Sequence, residues 1–414
     1  MPYFHNLSIL DAHQQFLQKR SKNQNLFLVG GCIRDVLLEI TKTPMDIDFT
    51  IAGDPVELYE HFDKSEISSF ITEKFGTSTF IESSAKKEGY PADGEIEYQL
   101  TPLRTEGSYG DFRHPEEIQR SNDLILDSQR RDFSINAMYY FSLPTQRKID
   151  LPDSTAIQAS TQSHLETLLA KEGYVYLKDL NLLILQHHEY ITKTFPNAKF
   201  DEVFCRYLIE TAQAVCLTET KGNEDAYAFR ILIDPQQGLQ SLISRKLETV
   251  GDANQRFSED ALRVIRAIRI VNIMNTTLSR RHELLFDYTA TTREAILRNV
   301  PLLMHVAKER IKDELTKAFQ KGDPFNFVVL LETSGILAQL FPALFATIHV
   351  EQPIRYHAFD VYTHTMLALH ALQEINTDYL VRFAMLYHDV GKVIQYAGYA
   401  KAKGDKEKIR EIIA

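Results

Sequence analysis

Three cysteines, Cys32, Cys205 and Cys216, are all that this 414-residue chain contains. They form neither an even disulfide framework nor a metal-ligand spacing, so the sequence reads as a reduced, cytoplasmic protein. Long apolar runs are lacking too. The most apolar stretch, Asn326 to Val350, is interrupted by Glu332, Gly335, Gln339 and Pro342. It reads as a buried helical hairpin and no membrane span. The opening MPYFHNLSILDAHQQ has no basic start and no continuous apolar run, so neither a signal peptide nor a membrane partner is expected. Positive charge is in deficit, with 46 Lys and Arg against 56 Asp and Glu for a net of −10. That balance argues weakly against a nucleic-acid partner. Two phosphate-binding signatures, GxxxxGK[ST] and GxGxxG, are missing as well.

What is present changes this picture. An apolar share of 44% and a charged share of 25% describe an ordinary globular chain, and its length predicts two to four domains. The charge is unevenly spread. Residues 245–321 hold fifteen Lys and Arg against ten Asp and Glu, an arginine-rich stretch suited to a polyanion or simply to a solvated helical surface. Strand-like segments LFLVG (26–30), DIDFTI (46–51), STFIE (78–82), EIEYQLTPLR (95–104) and KIDLP (148–152) alternate with helices expected after Gly31, Asp54 and Asp132. Residues 155–226 have another texture, a polar run followed by helical periodicity, and after residue 255 nearly every segment reads as helix. The expected organisation is an α/β head over 1–154, a helical insertion over 155–226 and all-α regions over 227–300, 301–350 and 351–414.

The stretch LFLVGGCIRDVLLEITKTPMDIDFTI (26–51) carries the chemistry. Alternate strand residues share a face, so Asp46 and Asp48 present two carboxylates to one side, about 6–7 Å apart. They repel unless cations share them, and oxygen-only ligands suit Mg²⁺. Gly30 and Gly31 let the backbone approach a ligand with its N–H groups exposed. Arg34, one turn into the helix, can reach back to phosphate in a fork geometry. These parts describe two-metal phosphoryl transfer. Paired surface aspartates are the bland alternative, and the GG-x-x-R-D spacing on a strand–helix–strand frame weighs against it.

With these residues in view, the sequence resembles the tRNA nucleotidyltransferase and poly(A) polymerase family, in its bacterial class II, CCA-adding form. GGCIRD with DID is similar to that family's first motif, and RTEGSYGDFRHP (104–115) to the segment preceding its second. RRDFSINAM (130–138) resembles the second motif, and IDPQQGL (233–239), RFSEDALRVIRAIR (256–269) and AKERIKDEL (307–315) resemble later ones. The resemblance implies an α+β fold: a polymerase-β-like head, a small mixed sheet with helices, followed by an all-α neck, body and HD-like region. It implies Mg²⁺ as cofactor, and tRNA, CTP and ATP as partners. Asp132 and Asn136, four apart on a presumed helix, would read ribose, with Arg130 or Arg131 neutralising triphosphate; alternatively Asp132 caps the helix. Asp260 and Arg263, three apart, would together accept and donate as cytosine and adenine require, while uracil and guanine would leave buried groups unpaired. Arg266 lies on the same run. An ordinary i,i+3 ion pair is the alternative there.

The sequence also departs from the family pattern. Gln99 stands where a third acidic residue is expected, and Glu97, on the same strand face, is the candidate substitute. Near the C-terminus, His364 with His388 and Asp389 resembles an HD metal site, yet the expected later aspartate could only be Asp405. The region reads either as a metal-dependent phosphohydrolase or as a structural helix pair, ending early against relatives with longer tails. TEKFGTSTFIE (72–82) stands where bacterial poly(A) polymerases carry a basic stretch, which favours tRNA over poly(A) as substrate. A decayed RNA-binding or HD-type protein is the reading of a different class.

Overall fold

The computed structural model describes residues 4–21, 26–51, 53–65, 67–72, 76–87, 89–91, 93–107, 118–121, 124–145, 175–177, 214–218, 227–352 and 358–395. The chain divides into two compact units, Met1–Ser108 with Pro115–Gly251, and Tyr109–His114 with Asp252–Ala414.

In the first unit, nine strands among the described residues form one mixed sheet. They are β1 (Leu26–Val29), β2 (Asp46–Ile51), β3 (Ser68–Thr72), β4 (Thr77–Ser83), β5 (Glu95–Pro102), β8 (Tyr139–Thr145), β9 (Val175–Leu177), β10 (Ala214–Thr218) and β11 (Tyr227–Ile233); β6 (Arg104–Glu106) and β7 (Ile118–Arg120) pair separately. The sheet order is β3-β4-β5-β2-β1-β8-β11-β10-β9. Only β2 and β5 among the described pairings of this sheet run parallel; the others are antiparallel. LFLV is buried throughout, as expected of a central strand covered on both faces. In β5 the alternation is regular: Ile96, Tyr98 and Leu100 are buried, whereas Glu95 and Gln99 are exposed.

Helix α1 (Ser8–Ser21) covers the apolar face. Its Gln14 bridges two strands, donating to Leu26 O at 2.7 Å and accepting from Ser142 N at 2.9 Å. Tyr140 donates to Asp11 at 2.6 Å. Helices α2 (Gly31–Leu37), α3 (Pro55–His61), α4 (Leu124–Gln129) and α5 (Gly238–Ser244) complete the unit. Asp54 caps α3 by accepting from Val56 N, with Pro55 at the first helical position.

Three expectations are corrected here. The segment after Asp132 is no α-helix but a single 3₁₀ turn, Ser134–Asn136. Val175–Leu177 and Ala214–Thr218, inside the span read as helical, are strands, and so is Tyr227–Ile233. YAFRILI pairs with β8 over seven residues, and its β-branched and aromatic residues suit a pleated surface better than a helix. The rest of 155–226, KIDLP and 108–117 lie outside the described residues.

The second unit is helical: α6 (Ala253–Glu259), α7 (Leu262–Arg280), α8 (Ala290–Asn299), α9 (Lys308–Lys321), α10 (Pro324–Thr333), α11 (Ile336–Leu340), α12 (Pro342–Phe345), α13 (Val361–Ile375) and α14 (Tyr379–Met385). Phe257, Val264, Ile268, Phe319, Phe327 and Leu331 are buried at its centre. No helix among the described residues is long and apolar enough to cross a membrane.

Candidate active site

The turn between β1 and α2 shapes the first part of the site. Gly30 adopts φ +86°, a conformation open to glycine, and a Cβ there would lie 3.2 Å from Asp48 Oδ2. Antiparallel pairing sets Val29 opposite Asp48, so the turn sits against the start of β2. Asp46 and Asp48 are both exposed, while Ile47 and Phe49 between them are buried. The two carboxylates therefore share the open face of the sheet, as their spacing predicted.

The parallel neighbour adds a third acid. Asp46 pairs in register with Glu97, and Asp48 with Gln99. Paired residues of adjacent strands point to the same face, so Glu97 stands about 5 Å across from Asp46 in the strand-to-strand direction. Gln99 Nε2 donates to Glu97 Oε1 at 2.7 Å, tying the amide to the carboxylate. This set of hard oxygen donors on a solvent-open face fits Mg²⁺. Cys32, in the first turn of α2, is buried, and burial first, then the nearby Asp48 charge, push its thiol up to about 12.

Arg34 is buried, and its fork is engaged within the protein. Nε donates to Asp35 Oδ1 at 2.7 Å and Nη1 to Asn136 Oδ1 at 2.5 Å. Asn136 Nδ2 in turn donates to Asp132 Oδ1 at 3.1 Å, and that oxygen also accepts from Phe133 N at 2.8 Å. Arg34, Asn136 and Asp132 thus form one chain of hydrogen bonds, with the orientation of the Asn136 amide fixed by it. Asp132 and Asn136, expected to share a helix face, are instead set side by side by a 3₁₀ turn.

Arg131 is placed differently. Both Arg130 and Arg131 pair with Asp127, at 2.7 and 3.0 Å, and Tyr139 donates to the same carboxylate at 2.7 Å. Asp127 is fully buried. Burial alone would raise its pKa, but Arg131 and Arg130 outweigh that and hold it down to about 2. The arginine expected to meet triphosphate is thus committed to a buried ion pair. Sequence reasoning missed Asp127, since nothing around LILDSQ marks it as the hub.

In the second unit the run RFSEDALRVIR is not one helix. It breaks at Asp260, whose backbone is extended at φ −142°, between α6 and α7. The Asp260 carboxylate accepts from Leu262 N at 3.2 Å, and this local side-chain bond competes with helix continuation. Its partner is not Arg263. Arg310 binds it through both nitrogens, at 3.2 and 2.8 Å. Arg263 instead donates to Arg256 O at 3.0 Å and Glu259 at 3.1 Å, and Arg256 holds Glu259 at 2.9 Å. Arg266 and Arg269 both bind the buried Glu314, at 3.2 and 2.5 Å. Arg310 and Glu314 lie in AKERIKDEL, but a partner some fifty residues away leaves no local signal.

His364 on α13 meets His388 and Asp389 beyond α14. Their ligand atoms lie within 4.8 Å of one another. Asp389 Oδ2 is 3.6 Å from His364 Nε2 and 3.3 Å from His388 Nε2, and Lys392 already binds the same oxygen at 2.6 Å. A metal ion there would share Asp389 with an ammonium.

The mixed sheet with its open acid face, together with the helical remainder, defines an α+β nucleotidyltransferase fold. Residues 26–155 match the family described as "Poly A polymerase head domain", and residues 286–348 match "Probable RNA and SrmB- binding site of polymerase A". The chain thus carries a head segment and a later segment that each match a domain of poly(A) polymerase type. It is similar to the "Multifunctional CCA protein" of Legionella pneumophila (strain Paris), at 35% identity over 39% of this chain and 38% of that protein. It is also similar to the "CCA-adding enzyme" of Anoxybacillus flavithermus, at 25% identity over 79% of this chain and 56% of that protein. The chain thus spans about half the length of the curated relatives it matches. A Bacillus stearothermophilus CCA-adding enzyme in complex with CTP aligns over 96% of this chain and 70% of its own, with a TM-score of 0.47 and 21% identity.

Proposed function

We propose that the chain is a template-independent RNA nucleotidyltransferase that adds CCA, or part of it, to tRNA 3′ ends from CTP and ATP. The observation that carries this reading is the exposed pair Asp46 and Asp48 beside the Gly30 turn, with Glu97 in register. Relatives named for CCA addition support it. A cytoplasmic location, where tRNA and nucleoside triphosphates meet, goes with it.

In the reaction the 3′-hydroxyl oxygen of the RNA bonds to the α-phosphorus of the nucleotide and gives its proton to water, while the α-phosphorus–oxygen bond to the β-phosphate breaks and pyrophosphate leaves with the bonding electrons. Asp46 and Asp48, with Glu97 as the third carboxylate, would hold Mg²⁺, which would supply charge neutralisation and a more acidic 3′-hydroxyl. The backbone N–H groups at Gly30 and Gly31 face the triphosphate. Arg34 orients Asn136, and through it Asp132, for the ribose hydroxyls. Asp260 and Arg263 choose the base: a carboxylate accepts from the exocyclic amino group and a guanidinium donates to the ring nitrogen of cytosine or adenine.

The test is the full chain with Mg²⁺, a tRNA lacking its CCA end and each labelled nucleotide in turn. Addition of two C and one A is expected. Long A tails would establish the poly(A) polymerase alternative, and no incorporation would overturn both. One observation favours a second activity, the clustering of His364, His388 and Asp389. Two imidazoles and a carboxylate suit a transition metal that supports phosphomonoester or phosphodiester hydrolysis. Release of phosphate that survives Asp48→Ala but not His388→Ala would establish it.

A further inference from the structure

The reader of the base requires a carboxylate whose plane is fixed, and the structure shows what fixes it. Asp260 sits in the break between α6 and α7 with 8% of its surface exposed. The terminal torsion of an aspartate is broad and roughly two-fold, so the residue alone does not set where its oxygens aim. Arg310, from α9, grips both oxygens in a fork, and Leu262 N takes another position on Oδ1. An ionised carboxylate offers roughly four lone-pair directions. Three donors from the protein leave about one, enough for a single N–H from a ligand.

We propose that Arg310 is a positioning residue for nucleobase selection, holding Asp260 so that one acceptor direction remains for an exocyclic amino group. This rests on the reading of Asp260 and Arg263 as the base-choosing pair. Arg310 does not touch the base; it acts through Asp260. Glu259 serves Arg263 in a parallel way at 3.1 Å, so the accepting and donating halves are braced by separate partners. Without the fork, Asp260 turns to satisfy other donors, and a base that offers a carbonyl is no longer met by a rigid, acceptor-only edge. Lysine at this position keeps the charge but lacks the planar fork.

The experiment measures C-to-U and A-to-G incorporation ratios, with KM and kcat, on tRNA lacking its CCA end. Wild type, Arg310→Ala, Arg310→Lys, Asp260→Ala and the double variant are compared. A ratio within one preparation does not depend on how much enzyme is folded, so destabilisation alone leaves it unmoved. Arg310→Ala is expected to lower both ratios about tenfold through higher KM for CTP and ATP, with kcat within a fewfold. Arg310→Lys should recover part of the loss, and Arg310→Ala should change nothing further in the Asp260→Ala background. Selection lost in Asp260→Ala but unchanged in Arg310→Ala overturns the positioning role and leaves the base-reading pair standing. Selection unchanged in Asp260→Ala overturns that pair, and this proposal with it.

Discussion

The acids of the two units meet their surroundings in opposite ways. On the open face of the head, Asp46 and Asp48 are exposed, and across from them stand Glu97 and a neutral amide, Gln99. In the helical unit, Asp260 and Glu314 are buried, and each lies in the grip of arginines. A carboxylate crowded by its own kind, with water on one side, calls for an external cation. One wrapped by guanidinium is already neutralised, and its task is to hold geometry. Asp127 shows that the contrast belongs to surroundings and not to the unit, since it lies in the head and is held as tightly as Glu314.

The sharpest way to break this contrast is to remove the open pair. Asp46→Ala with Asp48→Ala should cut nucleotide addition by roughly 10⁴-fold, over 5 kcal/mol of transition-state stabilisation. The melting curve should change little, because exposed side chains contribute little to stability. A large loss of stability instead would make these acids structural. Next, Asp127→Ala should destabilise the head by about 3–5 kcal/mol in denaturant unfolding, because it strands two half-buried guanidinium groups.

The same ion pairs give a pH signature. The Asp127 carboxyl is lowered to about 2 from 3.8, so its stabilisation is complete above the unfolded value and disappears as pH falls through that interval. Wild type should therefore lose stability between about pH 4 and pH 2 more steeply than Asp127→Asn, a difference that acid titration of the folded fraction measures. Glu314 is also lowered, with burial opposing and Arg266 and Arg269 prevailing. Glu314→Gln should cost roughly 2 kcal/mol in thermal or denaturant melts while leaving Mg²⁺ dependence unchanged. The smallest effect sharpens the open face. Glu97→Gln should reduce addition about 10- to 30-fold and raise the Mg²⁺ concentration for half-maximal rate. An unchanged Mg²⁺ dependence would remove Glu97 from the metal set.

The sequence was most legible where chemistry is local. The β1–α2–β2 unit follows from two glycines, a short amphipathic helix and a strand with alternating acids, and the structure places Asp46, Asp48 and Gly30 together as that pattern requires. The helices after residue 255 follow from their periodicity. What stayed hidden depends on distant partners. Arg130 and Arg131 looked suited to phosphate, yet a buried aspartate one turn earlier claims both. The spacing of Asp260 and Arg263 suggests one continuous helix, but the short polar side chain of Asp260 bonds forward to Leu262 N and ends it. β10 and β11 contain apolar runs that periodicity cannot tell from buried helix; ladder partners along the sheet decide them.

The missing side chain at Gly30 has a reach beyond its own turn. Its hydrogen occupies the space where a methyl would press on the Asp48 oxygen, so the bend and the acid are two halves of one fitted joint. Changing either surface alone spoils the seat of the other, and any lineage that alters this corner of the sheet must alter both positions in concert.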